Sequence, residues 1–344
     1  ASTYKIVSFD VFDTAVTRTT SDPKGIFKIV SKKISEKNID VPKPFVENFL
    51  EVRAGSERKA RKLAKTEDIS IFQIYEVIRK RFSLSDEIIR ELIDIEIEQE
   101  LNSFRVVKKT LRLIDQLRER GCRIIFVSDM YLPAEIVRGV LEAHGLFSEG
   151  DGLYVSGENG YSKKTGNLFK QVLSSEDCDS SQVIHFGDNF KSDYMMAKKS
   201  VSIRSCHVCD CHHNRYEKIL KTSAVDKFDL SCQLLSGASR LARLDSPDGL
   251  SARKKEFHKI GANIVGPILF GFICWVIENA SKDGIKRLYF LSRDGEIMMS
   301  VAREVSQRLG LDIELKYLYV SRQSLFAPAF IESNDFEIDW IAQK

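Results

Sequence analysis

The fold of this chain follows from its first apolar stretch, Tyr4-Lys-Ile-Val-Ser-Phe-Asp-Val-Phe-Asp-Thr14. Ile6, Val7 and Phe9 form a short apolar run, which is typical of a buried strand, and the run stops at Asp10. We therefore predict a first strand that presents a carboxylate at its carboxyl end.

Strand and helix patterns alternate from about residue 106 onward. Apolar, β-rich runs occupy 123–128, 153–155, 182–186 and 201–205, and helical patterns fill the intervals at 106–120, 133–144, 167–173 and 194–199. Strands separated by helices imply right-handed crossovers, so the predicted fold class is α/β with a mostly parallel sheet. In such sheets the chemistry lies at the carboxyl ends of the strands.

The region between the first two strands has a different character. Residues 21–104 are highly charged, and strand signals are almost absent there. Ser85 can cap a helix whose apolar residues Ile88, Leu92 and Ile95 recur at helical spacing. We predict an all-helical insertion at about 18–104.

Composition limits the class of protein. The 344 residues leave room for two domains at roughly 150 residues each. The net charge of +3 is too small to indicate nucleic acid as the main partner. Seven scattered cysteines do not resemble a secreted disulfide framework, and no secretory signal is visible, so the cytoplasm is the expected location. The 14-residue run Ile264–Ile277 is shorter than the roughly 20 residues of a membrane span, so we expect a buried helix and no transmembrane segment.

Polar residues with phosphoryl-transfer chemistry follow the predicted strands. They are Asp10 and Asp13, Ser128 and Asp129, Asp188, Asn189 and Asp193, and the loop lysines Lys163 and Lys164. A carboxylate can attack phosphorus, a hydroxyl and a lysine can hold phosphate oxygens, and several carboxylates can hold Mg²⁺. Taken singly, each of these residues is more often a turn former, a helix cap or a solvated loop residue.

These motifs, in this order, resemble the haloacid dehalogenase (HAD) superfamily over residues 4–208, with the helical insertion where that family carries its cap. The resemblance implies that Asp10 is the nucleophile and a Mg²⁺ ligand. It further implies that Ser128, Asp129, Lys163 and Asn189 hold the phosphate or substrate, and that Asp188, Asp193 and the Phe12 carbonyl complete the metal site. Lys163 is favoured over Lys164 because it lies three residues before Gly166.

One departure from the family pattern concerns Phe12. Phosphatases of the family usually have a general-acid aspartate at this position, and phenylalanine cannot donate a proton. Either Asp13 is repositioned as the acid, or the leaving group manages without one, or catalysis is weak. A dehalogenase variant also lacks this aspartate, but the acids Asp188 and Asp193 favour a metal and hence phosphate. Basic residues from Arg53 to Lys65 would suit an anionic substrate, but a solvated helix face explains the same charges and is the favoured interpretation.

A cysteine and histidine cluster spans 206–213. Cys206, Cys209, Cys211 and His212 have the ligand types of a zinc site, but a second separated ligand pair is not evident. The alternative is a strand end with buried thiols.

The second half echoes part of the first. Residues 287–296 repeat the pattern of 123–132, and the serine spacing of 29 residues from 292 to 321 compares with 28 from 128 to 156. This indicates a second βαβ unit by duplication or by convergence. Ser292 and Arg293 open its helix, where an anion could bind. The segment resembles predicted HAD-type hydrolases associated with bacterial surface-polysaccharide gene clusters, which implies a sugar phosphate or glycan precursor as substrate.

The expected organisation is a catalytic domain over 1–222, a linker or helical connector over 223–256, and a partial, degenerate Rossmann-like segment over 257–344, with further domains of a longer chain. The leading hypothesis is a Mg²⁺-dependent phosphohydrolase that acts through an aspartyl-phosphate. The alternative is a weakly active or inactive binding and scaffolding module of a larger polysaccharide-biosynthesis protein.

Overall fold

The computed structural model describes residues 4–223, 229–321, 324 and 335–342. Within it the chain divides into two compact units, Ala1–Lys259 and Ile260–Lys344.

The first unit is built on a five-stranded sheet. Its strands and those of a small ribbon are β1 (Ile6–Phe9), β2 (Val16–Arg18), β3 (Phe104–Val106), β4 (Arg123–Ser128), β5 (Gly152–Val155), β6 (Val183–Gly187) and β7 (Arg204–His207). The order in the sheet is β5-β4-β1-β6-β7, and every pair is parallel. This confirms the predicted α/β class. Because β1 is central, Asp10 stands in the middle of the carboxyl edge of the sheet.

The insertion is helical, as predicted. Its helices are α1 (Gly25–Glu36), α2 (Lys43–Glu47), α3 (Phe49–Leu63), α4 (Ile71–Phe82) and α5 (Asp86–Ser103). The hydroxyl of Ser85 accepts a hydrogen bond from the backbone N–H of Ile88, 3.3 Å away, and caps α5. The antiparallel ribbon of β2 and β3 joins this cap to the sheet, and the sequence patterns did not predict it.

A buried ion pair lies at the centre of the cap. Arg53 on α3 donates two hydrogen bonds of 2.8 Å to Glu96 on α5, and both side chains are fully buried. The hydroxyl of Tyr75 donates a further bond of 2.8 Å to Glu96, and the Arg53 guanidinium lies 4.8 Å from the centre of the Phe27 ring. The first arginine of the basic stretch therefore belongs to the cap interior and is not available to solvent or substrate.

The crossovers and the end of the first unit are also helical. They are α6 (Lys108–Glu119), α7 (Ala134–Ala143), α8 (Ser156–Asn159), α9 (Asn167–Ser175), α10 (Ala197–Val201), α11 (Arg215–Thr222), α12 (Leu230–Leu244) and α13 (Ala252–Ile260), with a 3₁₀ turn at Ser180–Gln182 and a π-helical turn at Phe190–Met196. The strand predicted at 201–205 lies instead at Arg204–His207, because α10 continues through Val201 and ends at Ser202 in the left-handed conformation.

Helix α12 packs on residues 18–20, which we call the hinge between the sheet and the cap. The Arg240 guanidinium donates to the carbonyl oxygens of Arg18 and Thr20, at 3.0 and 3.1 Å. A Cβ atom at Gly237 would lie only 1.9 Å from the carbonyl oxygen of Thr19, so a side chain at this position would force the helix away from the hinge. The segment that the sequence suggested as a connector thus holds the cap hinge in place.

The second unit contains a parallel pair of strands, β8 (Arg287–Leu291) and β9 (Glu314–Leu318). Its described residues also form a π-helical turn at Gly261–Val265 and the helices α14 (Gly266–Lys282), α15 (Gly295–Leu309) and α16 (Asp335–Ala342). The register pairs Leu291 with Leu318, a separation of 27 residues, and β4 and β5 pair Ser128 with Val155 at the same separation. Both segments are parallel βαβ units, and their origin by duplication stays a prediction.

The prediction of a buried helix at Ile264–Ile277 is wrong. The structure has one long helix, Ala252–Lys282, and only 17 % of its most apolar window is buried. Ile273 and Ile277 face the small core of the second unit, whereas Ile268 and Trp275 are 65 % and 61 % exposed. By length and composition alone this helix could cross a membrane. The apolar run is therefore not explained by burial in either unit as the structure describes them.

Candidate active site

Asp10 is buried where β1 ends, and two side chains hold its carboxylate. The Lys163 ammonium donates to Oδ1 at 2.5 Å, and the Thr14 hydroxyl donates to Oδ2 at 3.3 Å. Burial raises the pKa of Asp10 well above its usual value, and the charge of Lys163 opposes this rise. The carboxylate thus depends on neighbouring cations for its ionised form.

Lys163 is the buried lysine of its loop, whereas Lys164 is exposed. Its backbone N–H donates to Oδ1 of Asp129 at 2.8 Å, which fixes the loop, and its ammonium also lies 2.6 Å from Oδ1 of Asp193. Burial disfavours its charge, but Asp10 and Asp193 outweigh burial and raise its pKa. Lys163 is therefore a permanent cation between two carboxylates.

Asp188 and Asp193 enter the site from the loop after β6. Oδ2 of Asp193 accepts from the backbone N–H of Asn189 at 2.9 Å, and Oδ1 lies 3.3 Å from Nε2 of His185. A Cβ at Gly187 would lie 2.4 Å from Cγ of Asp193, so this turn needs glycine. Burial opposes the charge of Asp193, but Lys163 and His185 hold its pKa below the usual range.

Asn189, which the sequence suggested as a substrate ligand, uses its side chain to cap the π-helical turn. Its Oδ1 accepts from the backbone N–H groups of Lys191 and Ser192, at 3.0 and 3.1 Å. Asn189 also lines the cavity beside Asp10. Asn189 therefore stabilises the loop that carries Asp188 and Asp193.

A cation fits between three carboxylates. One oxygen each from Asp10, Asp188 and Asp193 lies within 4.8 Å of the others. Burial and the charges of Asp13 and Asp193 raise the pKa of Asp188 to about 6, a repulsion that a bound cation would relieve. An all-oxygen donor set suits Mg²⁺. Phe12 lines the same cavity, and the role of its carbonyl as a further ligand stays a prediction.

Ser128 ends β4 and is fully buried. Its hydroxyl has no hydrogen-bond partner within the described ranges, whereas most buried polar atoms in proteins have one. Donation from this hydroxyl to a phosphate oxygen stays a prediction. Burial raises the pKa of the neighbouring Asp129. The carboxylate of Asp129 accepts a hydrogen bond from the backbone N–H of Lys163.

A cavity of about 570 Å³ opens above Asp10 and is lined by both the sheet and the cap. Arg58 and Arg61 contribute cations from α3. Arg61 forms ion pairs with Glu57 and Asp68, whereas Arg58 is exposed and forms no ion pair in the part of the chain that the structure describes. Of these two arginines, Arg58 is therefore the one available to an anionic ligand in the cavity.

The cap is hydrogen-bonded to the lysine loop. Glu67 accepts from the backbone N–H of Ser162 at 2.9 Å and from the Thr165 hydroxyl at 2.5 Å. Asp68 accepts from the hydroxyl of Ser156 at 2.5 Å. The cap thus contacts the residues on either side of Lys163.

Comparison with known proteins identifies the family of this chain. The family model of haloacid dehalogenase-like hydrolases matches residues 4–200. The chain belongs to this family. No curated protein matches it.

Solved structures of similar fold include several HAD hydrolases. The HAD-hydrolase YfnB from Bacillus subtilis bound to magnesium is 14 % identical, with a TM-score of 0.42 over 60 % of this chain and 89 % of that one. A HAD phosphatase from Thermococcus onnurineus is 19 % identical, with a TM-score of 0.42 over 61 % and 87 %. A 2-haloacid dehalogenase from Pseudomonas syringae pv. Tomato DC3000 is 16 % identical, with a TM-score of 0.45 over 70 % and 100 %. None of the comparisons supports the association with polysaccharide gene clusters.

In this HAD-like hydrolase the ring of Phe12 points toward the hinge. It lies 5.1 Å from the Phe104 ring, and the Arg18 guanidinium lies 5.0 Å from its centre. Asp13 has a positive φ of 56°, its Oδ1 accepts from the Thr17 hydroxyl at 2.5 Å, and the Arg240 guanidinium is 3.5 Å away. The role of Asp13 as a replacement general acid stays a prediction.

The predicted zinc ligands do not come together as a set. The structure groups Cys209 and His212 with His207. Cys206 precedes His207 on β7, and successive side chains of a strand point to opposite faces. Cys211 is buried, and burial raises the pKa of its thiol to about 12, which disfavours the thiolate that binds metal.

The predicted second anion site has its side chains otherwise engaged. The Ser292 hydroxyl donates to the carbonyl oxygen of Val320. The Arg293 guanidinium is exposed and lies 3.3 Å from Asp294. Anion binding at this helix start stays a prediction.

Sequence reasoning missed Thr14 and His185. Nδ1 of His185 lies 2.8 Å from the hydroxyl of Ser8 on the neighbouring strand, and burial lowers the pKa of this histidine. The available signal was polarity, since Ser8 and His185 are polar residues inside otherwise apolar strands. His185 orients Asp193 from beneath the site.

Proposed function

We propose that this HAD-like hydrolase is a Mg²⁺-dependent phosphohydrolase that forms an aspartyl-phosphate on Asp10. The arrangement around Asp10 supports this proposal. Lys163 places one buried cation beside it, and Asp188 and Asp193 offer two further carboxylates within reach of a shared metal ion. Bound Mg²⁺ would neutralise charge on the transferring group and orient it for in-line attack.

The residues of the chain supply the remaining steps. A carboxylate oxygen of Asp10 attacks phosphorus, and the bond to the leaving oxygen breaks. Lys163 offsets the negative charge of the site, and the unpartnered Ser128 hydroxyl donates to a phosphate oxygen. Water then attacks the aspartyl-phosphate, which releases inorganic phosphate and restores the carboxylate.

The substrate that suits the cavity is a small phosphorylated metabolite. A cavity volume of about 570 Å³ is in the range of small-molecule sites. The free guanidinium of Arg58 favours a compound that carries a second polar or anionic group, such as a sugar phosphate or a glycan precursor.

A second candidate follows from Phe12. Because no carboxylate occupies this position, the site is also compatible with a binding module that has weak or no turnover. Such a module would bind phosphate and metal without forming the covalent intermediate.

The experiment that separates the two is a screen of sugar phosphates and aryl phosphates with and without Mg²⁺. We expect turnover that a chelator abolishes and that Asp10→Asn removes, while the exposed cap variant Asp86→Asn turns over like the wild type. Full turnover by Asp10→Asn would overturn the nucleophile assignment. Absence of turnover in the wild type, together with failure to trap beryllium fluoride at Asp10, would favour the binding module.

A further inference from the structure

A second group of metal-type ligands lies beside the carboxylate site, on the loop that follows β7. One ring nitrogen each of His207 and His212 and the sulfur of Cys209 lie within 4.8 Å of one another. The Cys209 thiol and the His212 ring are exposed and His207 is half-buried, so solvent ions can reach all three.

Both imidazoles are held by the same acceptor. Nε2 of His207 lies 2.7 Å and Nε2 of His212 lies 3.1 Å from the carbonyl oxygen of Asp188. An imidazole that donates from Nε2 keeps the lone pair on Nδ1. Metal-binding histidines characteristically donate their other ring N–H to a carbonyl or carboxylate in this way.

The sulfur of Cys209 lies next to the His207 ring, at a spacing compatible with a tetrahedral ion. It is 3.4 Å from Nδ1 and 3.6 Å from Nε2 of His207. With Zn–N of about 2.0 Å and Zn–S of about 2.3 Å, tetrahedral geometry places nitrogen and sulfur about 3.5 Å apart. Nδ1 of His207 and the sulfur of Cys209 thus lie close to the separation of two zinc ligands.

We propose that His207, Cys209 and His212 bind one divalent cation of the zinc class, with the fourth position open to water. Two imidazoles and a thiolate suit zinc and its borderline neighbours and do not suit Mg²⁺, whereas the carboxylate site has the opposite preference. Asp188 belongs to both sites, because its carboxylate faces Asp10 and Asp193 and its carbonyl oxygen orients the two imidazoles. Occupation of the second site therefore fixes the backbone of a residue in the first.

Cobalt reports on this site without any assay of activity. The full chain, purified without a histidine tag and stripped of metal, is titrated with Co²⁺ in the presence of excess Mg²⁺, which occupies the oxygen site. We expect one equivalent of Co²⁺ to bind with tetrahedral visible bands and a thiolate-to-cobalt charge-transfer band, and Zn²⁺ to displace it.

Matched variants locate the ligands. Cys209→Ser should lose the charge-transfer band, and His212→Gln should weaken Co²⁺ binding by at least roughly 10–100-fold, the loss seen when even a supporting residue of a metal site is removed. Cys206→Ser, altered on the opposite face of β7, should bind like the wild type. Thermal unfolding of the metal-free variants verifies that each one folds, and His212→Gln changes a ring that is exposed at the surface.

Two results would overturn the proposal. The first is that wild-type protein fails to bind Co²⁺ in the presence of Mg²⁺, or binds it without a charge-transfer band. The second is that the band follows the wrong cysteine. It would then survive in Cys209→Ser or disappear in Cys206→Ser.

Discussion

The ammonium nitrogen of Lys163 lies 2.5 Å from Oδ1 of Asp10, and both groups are buried. The same ammonium lies 2.6 Å from Asp193, so one cation holds two carboxylates that would otherwise repel each other. This arrangement makes the ionisation of Asp10 depend on a residue from a different loop.

Lys163→Met is therefore expected to lower kcat by about 10²–10³, the range found for loss of one electrostatic stabiliser. Loss of the cation also raises the pKa of Asp10 further, because burial is then unopposed, so the pH–rate profile should move to higher pH. Steady-state kinetics across pH measures both effects. Lys164→Met is the matched control on the exposed neighbour, and an equal loss in both variants would contradict the assignment.

The pair of Arg53 and Glu96 is expected to dominate the stability of the cap. Arg53→Met leaves Glu96 buried without its cation, which costs about 3–5 kcal/mol in the free energy of unfolding. The double variant with Glu96→Leu should recover much of this loss, since both charges are then gone. Denaturant unfolding measures the cycle.

The control for this cycle is Arg58→Met, because Arg58 is an exposed arginine on the same helix. It should leave the unfolding midpoint unchanged. Additive effects of the two interior substitutions would show that Arg53 and Glu96 act independently.

Stability should depend on pH and metal together. Because the pKa of Asp188 is raised to about 6, the folded state holds more protons than the unfolded state up to that pH, and the metal-free protein loses stability as pH rises toward it. Mg²⁺ binds the ionised carboxylates, so its effect on Tm should be largest at neutral pH and shrink below about pH 6. Scans with and without Mg²⁺ measure this. A metal effect that does not change with pH would rule out this carboxylate as a ligand.

Hydrolysis should depend steeply on the leaving group. Phe12 cannot donate a proton, and the Asp13 carboxylate is engaged by the Thr17 hydroxyl and lies near the Arg240 guanidinium, so we expect the leaving oxygen to depart without an acid. We expect aryl phosphates to react much faster than alkyl phosphates, and Asp13→Asn to leave this ratio unchanged. A selective loss of alkyl phosphate turnover in Asp13→Asn would identify Asp13 as the general acid.

The sequence predicted the positions of candidate site residues that lie at the ends of strands. Parallel strands bring their carboxyl ends to one edge, so Asp10, Ser128 and Asp188 could be placed together from their positions alone. Contacts between distant segments could not be predicted in this way. Arg53 and Glu96 are 43 residues apart, and the helical pattern does not reveal that they meet in the cap interior.

Local patterns also left ambiguities at boundaries. The β-prone run 201–205 begins inside α10. The strand therefore lies at Arg204–His207 and includes Cys206. Alternation along β7 then decides which side chains meet, since His207 joins the metal-type group and Cys206 does not.

The contact between α12 and the hinge sets the smallest piece of this chain that can be expected to fold alone. The family match ends at residue 200, but a fragment cut there would leave the carbonyl oxygens of Arg18 and Thr20 without the guanidinium of Arg240. Domain swaps and truncations in this protein should therefore keep all of α12 with the first unit.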